Sequence, residues 1–253
     1  MEKEGRKCKN CGTLVTGKFC SECGQSYSEE RITLSHILHE AFHFFTHFEE
    51  GFGYTVKELL VSPGRIQRLY LEGKRKKIQK PFSMFFICAT ACGLGEYWIN
   101  KLLLHFAHTN NFSEVYFFQH YLVIMQVLMV PFYALIGWLF FFRLGYNYAE
   151  MFIVMLYMVS SVFLLVVLIN CLKFIWPTLN TKFIEFPVLV CYTILTNINL
   201  FNKSPRWKII LLSVGSMFVS FSTVEIIQQI IVSKLIPWYN KLKFRSTKFL
   251  VLK

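Results

Sequence analysis

Aspartate is absent from the chain, and all 15 acidic residues are glutamate. This absence weakly disfavours chemistry that relies on aspartate, such as magnesium held by aspartate carboxylates. Charged residues of any kind are also few, at 17% of the chain against about a quarter in a typical soluble domain. The first 20 residues contain no apolar run like that of a secretory signal peptide, so we expect the N-terminal segment not to be exported.

Apolar residues make up 54% of the 253 positions, and the mean hydropathy is +0.42. More than half of the 27 Lys and Arg residues lie in the first 80 positions, so a polar front precedes an apolar remainder. Five apolar stretches approach or exceed the ~20 residues that a helix needs to cross a bilayer. They are residues 81–99, 117–142, 149–172, 185–202 and 208–236. The sequence therefore predicts an all-α integral membrane protein with about five transmembrane helices.

These changes in composition divide the chain into four predicted parts. They are a zinc-binding knuckle domain (1–30), cytoplasmic amphipathic helices with a basic juxtamembrane segment (31–80), a transmembrane helical bundle (81–236) and a basic C-terminal tail (237–253). Five spans would place the basic tail opposite the N-terminus, which the positive-inside rule disfavours. Four spans would follow if residues 185–202 do not cross; we favour five.

Two CxxC pairs, each followed by glycine, lie near the N-terminus: Cys8, Cys11, Cys20 and Cys23. Four thiolates at this spacing suit tetrahedral Zn²⁺, and glycine lets the backbone turn back toward the sulfurs. Redox chemistry or disulfides are the alternative, but no βαβ pattern surrounds the pairs. A four-cysteine site leaves no position for water, so the zinc would be structural and would fold this segment. No basic stripe interleaved with aromatic residues occurs, so nucleic acid is not the favoured partner.

Apolar residues at helical spacing predict an amphipathic surface helix over residues 33–48. Its opposite face carries four histidines: His36, His39, His43 and His47. These side chains could bind a second metal or respond to pH, although a solvated polar face is the favoured interpretation. His39, Glu40 and His43 also match the HExxH pattern of zinc hydrolases, with no third ligand assigned.

Seven basic residues stand against a single glutamate in residues 65–80, immediately before the first apolar stretch. They are Arg65, Arg68, Lys74, Arg75, Lys76, Lys77 and Lys80. Basic residues at this position favour a cytoplasmic N-terminus and would attract anionic lipid headgroups.

Glu225 is the one acidic residue within the last apolar stretch. An ionisable residue inside a span is a candidate functional residue, because its burial in lipid is costly. A stripe of small polar residues lies on the same helix: Ser213, Ser216, Ser220 and Thr223. Helix packing is the favoured interpretation of that stripe.

Several short strings occur together along the chain: Phe19–Gln25 with Arg31, then Gly51, Thr55, Pro63-Gly64, Tyr70, Gly73–Arg75, Pro81-Phe82 and Asn147–Glu150. In combination they resemble an uncharacterised bacterial family of zinc-ribbon, multi-span membrane proteins. The resemblance implies the same architecture and a bacterial inner-membrane location. It implies no activity, since the function of that family is unknown.

The favoured function is a non-enzymatic scaffold or accessory protein that presents a cytoplasmic zinc ribbon to a protein partner. No catalytic residues are assigned under this hypothesis. The first alternative is an oligomeric channel, pore or transporter, including a membrane effector of a defence system, with Glu225 lining the path. The second is a membrane zinc hydrolase that uses residues 39–43. The expected partners are membrane lipids together with a protein or further copies of the chain.

Overall fold

A computed structural model of the chain describes residues 6–25, 51–107, 113–176 and 179–251. A two-stranded antiparallel hairpin, β1 (Arg6–Lys7) and β2 (Leu14–Val15), comes first. Seven α-helices follow in the described part: α1 (Phe52–Val61), α2 (Arg65–Leu71), α3 (Pro81–Ala107), α4 (Ser113–Phe141), α5 (Tyr148–Asn170), α6 (Lys182–Leu200) and α7 (Arg206–Val251). The predicted all-α architecture with a small N-terminal cysteine-bearing unit is confirmed.

Five of these helices contain segments long and apolar enough to cross a membrane. The segments are Pro81–Leu103, Met125–Leu144, Tyr148–Phe174, Lys182–Leu200 and Arg206–Ile227. The fourth segment starts three residues before the predicted stretch and ends two residues before its predicted end, so it has 19 residues. Helix α7 has 46 residues and continues through the boundary predicted at 236/237. At 1.5 Å per residue it is about 69 Å long, roughly twice the thickness of the hydrocarbon core.

Helix α5 lies at the centre of the bundle and packs against α3, α4 and α6. It begins at a capping box in which Asn147 accepts from the Glu150 amide and Glu150 accepts from the Asn147 amide, both at 2.8 Å. Its large side chains Tyr157 and Phe163 are fully buried against α3 and the cap described next. The most apolar of the five segments thus occupies the position with the least exposure to solvent or lipid.

Helices α1 and α2 form a short hairpin, which we call the cap, against α5 and α6. The cap is tied to α6 by backbone carbonyls rather than by apolar contacts alone. The Tyr192 hydroxyl donates to the Leu59 carbonyl (3.1 Å), and the Asn199 amide donates to the Pro63 carbonyl (2.7 Å). In the opposite direction, the guanidinium of Arg68 in the cap donates to the Asn199 carbonyl (2.9 Å). These bonds fix the turn between the two cap helices against the end of α6.

The chain leaves the cap through residues 72–80 and enters α3 at Pro81. Gln79 in this connection is fully buried, and both of its backbone groups are engaged. Its amide donates to the Thr55 hydroxyl (2.9 Å), and its carbonyl accepts from the Tyr157 hydroxyl (2.5 Å). The start of the first apolar helix is therefore held by α1 on one side and by α5 on the other.

If all five helices cross the membrane, the two ends of the bundle sequence lie on opposite sides of it, which can be tested. A reporter fused after residue 80 should report the cytoplasmic side, because the basic segment precedes α3. A reporter at the C-terminus should report the opposite side. Two cytoplasmic signals would show that one of the five helices does not cross, and Lys182–Leu200 would be the first candidate.

Candidate metal centre

The first CxxC pair lies on the loop that joins β1 to β2. The Cys8 amide donates to the Thr13 carbonyl (2.8 Å), and the Gly12 amide donates back to the Cys8 carbonyl (2.9 Å). Gly12 adopts φ +84°, a left-handed conformation that glycine adopts without steric cost. The turn that glycine permits brings the backbone amides over the first two sulfurs.

The second CxxC pair repeats this geometry. The Cys20 amide donates to the Gln25 carbonyl and the Gly24 amide donates to the Cys20 carbonyl, both at 2.9 Å. Gly24 has φ +66°. Two equivalent turns therefore face each other, as the duplicated CxxCG pattern predicts.

The four sulfurs form one cluster, with all ligand atoms within 4.8 Å of one another. Cys8 Sγ lies 3.7 Å from Cys23 Sγ, and Cys11 Sγ lies 3.5 Å from Cys20 Sγ. A tetrahedral zinc site with ~2.3 Å bonds to sulfur has sulfurs ~3.8 Å apart, so these two distances fit it. Within the described ranges, no other group of three or more His, Cys or Glu side chains is placed to hold a metal. The cluster is compatible with a metal ion held by four cysteines, two from each turn.

The electrostatics of the thiols also favour a cation among them. The Thr13 hydroxyl and amide lower the pKa of Cys11 to about 6, and the Cys11 and Asn10 amides lower the pKa of Cys8. The Cys23 amide lowers the pKa of Cys20, but burial and the neighbouring thiols outweigh it and raise that pKa to about 11. Four thiolates this close repel one another, and a bound cation would relieve the repulsion.

Gln25 fastens the cysteine-bearing hairpin and its two turns, which we call the knuckle, to the connection that enters α3. Its side-chain amide donates to the Gly73 carbonyl (2.6 Å), and its side-chain oxygen accepts from the Arg75 amide (3.2 Å). The Gln25 carbonyl is itself held by the Cys20 amide. The second cysteine turn therefore positions Gln25, which holds the connection to α3 by hydrogen bonds.

Further contacts lead from the Gln25 hydrogen bonds into the helical bundle. Arg75 donates to the Tyr70 carbonyl (3.2 Å), and its guanidinium lies 5.0 Å from the centre of the Tyr70 ring. The Tyr70 ring meets Tyr157 of α5 edge to face at 5.7 Å between centroids. The knuckle is thus linked through the cap to the central helix.

Two of the residues predicted to bind lipid headgroups also bond within the protein. Arg68 bonds to α6 and lies 3.8 Å from the Glu72 carboxylate, and Arg75 bonds to the Tyr70 carbonyl. A third, Arg65, is exposed and lies 3.7 Å from the Glu58 carboxylate. The others, Lys74, Lys76, Lys77 and Lys80, are exposed.

The histidine helix predicted over residues 33–48, and with it His36, His39, His43 and His47, lies outside the described residues. The structure therefore does not bear on a second metal site or on the HExxH pattern at 39–43. Both remain predictions from the sequence.

Glu225 lies on the exposed surface of α7, nineteen residues after the helix begins at Arg206. That separation is about 28 Å along the axis, close to the full thickness of the hydrocarbon core. Of the small polar residues on this helix, Ser213 and Ser216 are buried, and the Ser213 hydroxyl accepts from the Asn197 amide of α6 (2.9 Å). Ser213 therefore contacts α6, whereas the Glu225 carboxylate lies near the end of the span.

We therefore predict that Glu225→Gln changes the stability of the purified protein by no more than about 0.5 kcal/mol, the usual range for exposed substitutions. The measurement is thermal unfolding in detergent, combined with ion flux in liposomes. Low flux from both proteins is the expected result. Conduction by the wild-type protein, with altered ion selectivity in the variant, would instead favour the channel hypothesis.

One polar network was not anticipated as a link between helices. Asn170 donates to the Glu96 carboxylate (2.8 Å) and accepts from the Thr181 hydroxyl (3.0 Å). It joins α3, the end of α5 and the residue before α6. Glu96 was identifiable in the sequence as a polar residue in an apolar stretch, but no spacing connects it to positions 74 and 85 residues later.

Together, the fold and the cysteine cluster define a helical protein with five helices able to cross a membrane and a four-cysteine knuckle. Residues 49–92 match a family model described as a protein of unknown function, DUF3667. Comparison with the curated proteins and with the solved structures finds no match. The matched segment contains the cap, the basic connection and the start of α3, but not the four cysteines. It supports an uncharacterised family, while bacterial origin and a family-wide zinc ribbon stay predictions.

Proposed function

We propose that the protein is a non-enzymatic scaffold of the bacterial inner membrane, whose zinc knuckle is a cytoplasmic docking platform for a protein partner. The observation that carries this proposal is the attachment of the knuckle through Gln25 to the connection that enters α3. A metal site closed by four cysteines supplies folding rather than catalysis. Attachment to the cap would present that folded unit in a fixed orientation.

The exposed surface of the knuckle supports a docking role. Leu14 and Phe19 are 62% and 65% exposed, although both are large and apolar. Lys18 is exposed beside Phe19, and Lys7 is exposed opposite Leu14 in the hairpin. Exposed apolar side chains that each have a lysine beside them fit an acidic partner segment that carries apolar side chains. Zinc is the expected metal because four thiolates in tetrahedral geometry suit it.

The cytoplasmic location of the knuckle rests on charge. Basic residues collect at the end of the bundle where the cap lies: the connection before α3 carries Lys74 to Lys77, and the turn between α6 and α7 carries Lys203 and Arg206. An excess of Lys and Arg in short loops favours the cytoplasmic side.

Purification of the full chain in mild detergent, followed by identification of bound proteins, tests the proposal. Phe19→Ser should weaken partner binding about thirtyfold, as expected for the loss of an aromatic anchor, with the metal content unchanged. The matched control is Phe183→Ser, because Phe183 is 80% exposed at the start of α6 and lies far from the knuckle in sequence. A symmetric oligomer of this chain alone, with ion flux in liposomes, would overturn the scaffold and support the channel.

A further inference from the structure

Four exposed lysines lie on the two segments that pack together where the knuckle touches the connection to α3. Lys9 comes from the first cysteine turn; Lys74, Lys76 and Lys77 come from the connection. The stem of Lys9 lies across Gly73, since a Cβ at Gly73 would be 2.8 Å from Lys9 Cδ. In the other direction, Lys76 Nζ lies 3.5 Å from the Cβ position of Gly24. Each segment therefore places one lysine side chain against the other segment.

No carboxylate in the described part of the chain neutralises this group. The ion pairs found there join Arg65 to Glu58 and Arg68 to Glu72, and neither includes one of the four lysines. Ammonium groups that lie near one another without an acidic partner repel one another. An anion bound between them would relieve that repulsion, and phosphate oxygens are the usual partners of such groups.

The position of the group identifies the source of the anion. Lys77 is four residues before Pro81, where the first membrane-crossing helix begins. Four residues span at most about 14 Å, so Lys77 lies close to the start of that helix. The lysines therefore stand at the level where phospholipid headgroups surround the entry of α3.

We propose that Lys9, Lys74, Lys76 and Lys77 form a composite binding site for anionic phospholipid headgroups, which exists only while the knuckle is docked. Gln25 assembles the site, because its two side-chain bonds hold the Gly73–Arg75 backbone against the second cysteine turn. The site extends the basic juxtamembrane segment by a residue from the knuckle. It does not depend on the protein partner proposed above.

The test titrates the full metal-loaded chain in uncharged detergent with short-chain phosphatidylglycerol, and with phosphatidylcholine as the zwitterionic control. The double variant Lys9→Gln/Lys76→Gln removes one lysine from each segment. Each lysine near an anionic surface contributes about fivefold to affinity, so the double variant should bind roughly 25-fold more weakly. The matched control Lys101→Gln/Lys182→Gln makes the same charge change at exposed positions outside the site. It should bind like the wild type.

The variant Gln25→Ala keeps every charge and separates the two segments. We expect it to lose at least fivefold in affinity for phosphatidylglycerol, with its metal content and melting temperature in detergent unchanged. Wild-type affinity in Gln25→Ala, or an equal loss in the control double variant, would overturn a composite site. Equal binding of inorganic phosphate, or displacement of the lipid by an acidic peptide at similar concentration, would overturn the assignment to lipid.

Discussion

Replacing Cys20 with serine is expected to abolish metal binding and to unfold the knuckle while leaving the membrane helices folded. Cys20 is the most buried of the four ligands, and its sulfur lies 3.5 Å from that of Cys11. Binding of structural zinc supplies about 10–16 kcal/mol in small zinc-binding units, and here only Val15 adds a buried apolar side chain to the cysteines. No other source of stability in the knuckle can replace that amount.

Metal analysis of the purified chain measures this effect directly, with one zinc per chain expected for the wild type and none for Cys20→Ser. Cys171→Ser is the matched control, because Cys171 is an exposed free thiol at the end of α5. Its metal content should equal that of the wild type. Full zinc in Cys20→Ser would refute the ligand set, and loss of helical signal from the whole chain would refute independent folding of the bundle.

Replacing Gly64 with alanine is expected to destabilise the protein by roughly 3 kcal/mol or more, from backbone strain and a steric clash together. Gly64 has φ +85°, and a Cβ there would overlap the carbonyl oxygen of Thr196 and lie 2.9 Å from the Leu200 nitrogen. Both of these groups belong to the backbone of α6, so neither can rotate away. The cap would have to separate from α6 and lose the hydrogen bond from Asn199 to the Pro63 carbonyl.

Substitutions at two other glycines distinguish the effect of backbone strain from that of the steric clash. Gly145 also has a positive φ (+92°), but a Cβ there meets nothing within 4 Å, so Gly145→Ala should cost about 1 kcal/mol. Gly53 lies inside α1 with open space around it, so Gly53→Ala should be neutral or stabilise by about 0.5–1 kcal/mol. Thermal unfolding in detergent compares the three. Equal stability of Gly64→Ala and Gly145→Ala would contradict the close packing of the cap.

Local spacing was sufficient to predict the cysteine turns and the five apolar helices. The duplicated CxxCG pattern specifies both the sulfurs and the glycines that need positive φ, and all of these lie within 17 residues. A helix able to span a bilayer is visible as a run of apolar residues, whatever its neighbours are. The bounds were predicted less exactly: α6 starts before the predicted stretch, because Lys182 and Glu185 interrupt its apolar run, and α7 continues past the predicted end at 236.

The contacts that assemble these pieces could not be predicted, because they join residues far apart in the sequence. Gln25 bonds to Gly73 and Tyr157 bonds to Gln79, across 48 and 78 positions. Gln25 belongs to a string already identified in the sequence, yet nothing in its spacing indicates its partner. Likewise, Pro63-Gly64 predicts a turn, but only the position of α6 explains why a side chain at 64 would be excluded.

Hydrogen exchange at two adjacent amides tests most directly whether the metal-bound knuckle holds the connection to the first membrane helix. The Arg75 amide donates to the Gln25 side chain, whereas the Lys74 amide donates to the Leu69 carbonyl within the cap. On removal of the metal with a chelator, exchange at Arg75 should accelerate while exchange at Lys74 stays unchanged. Unchanged protection at Arg75 after complete metal loss would contradict the claim.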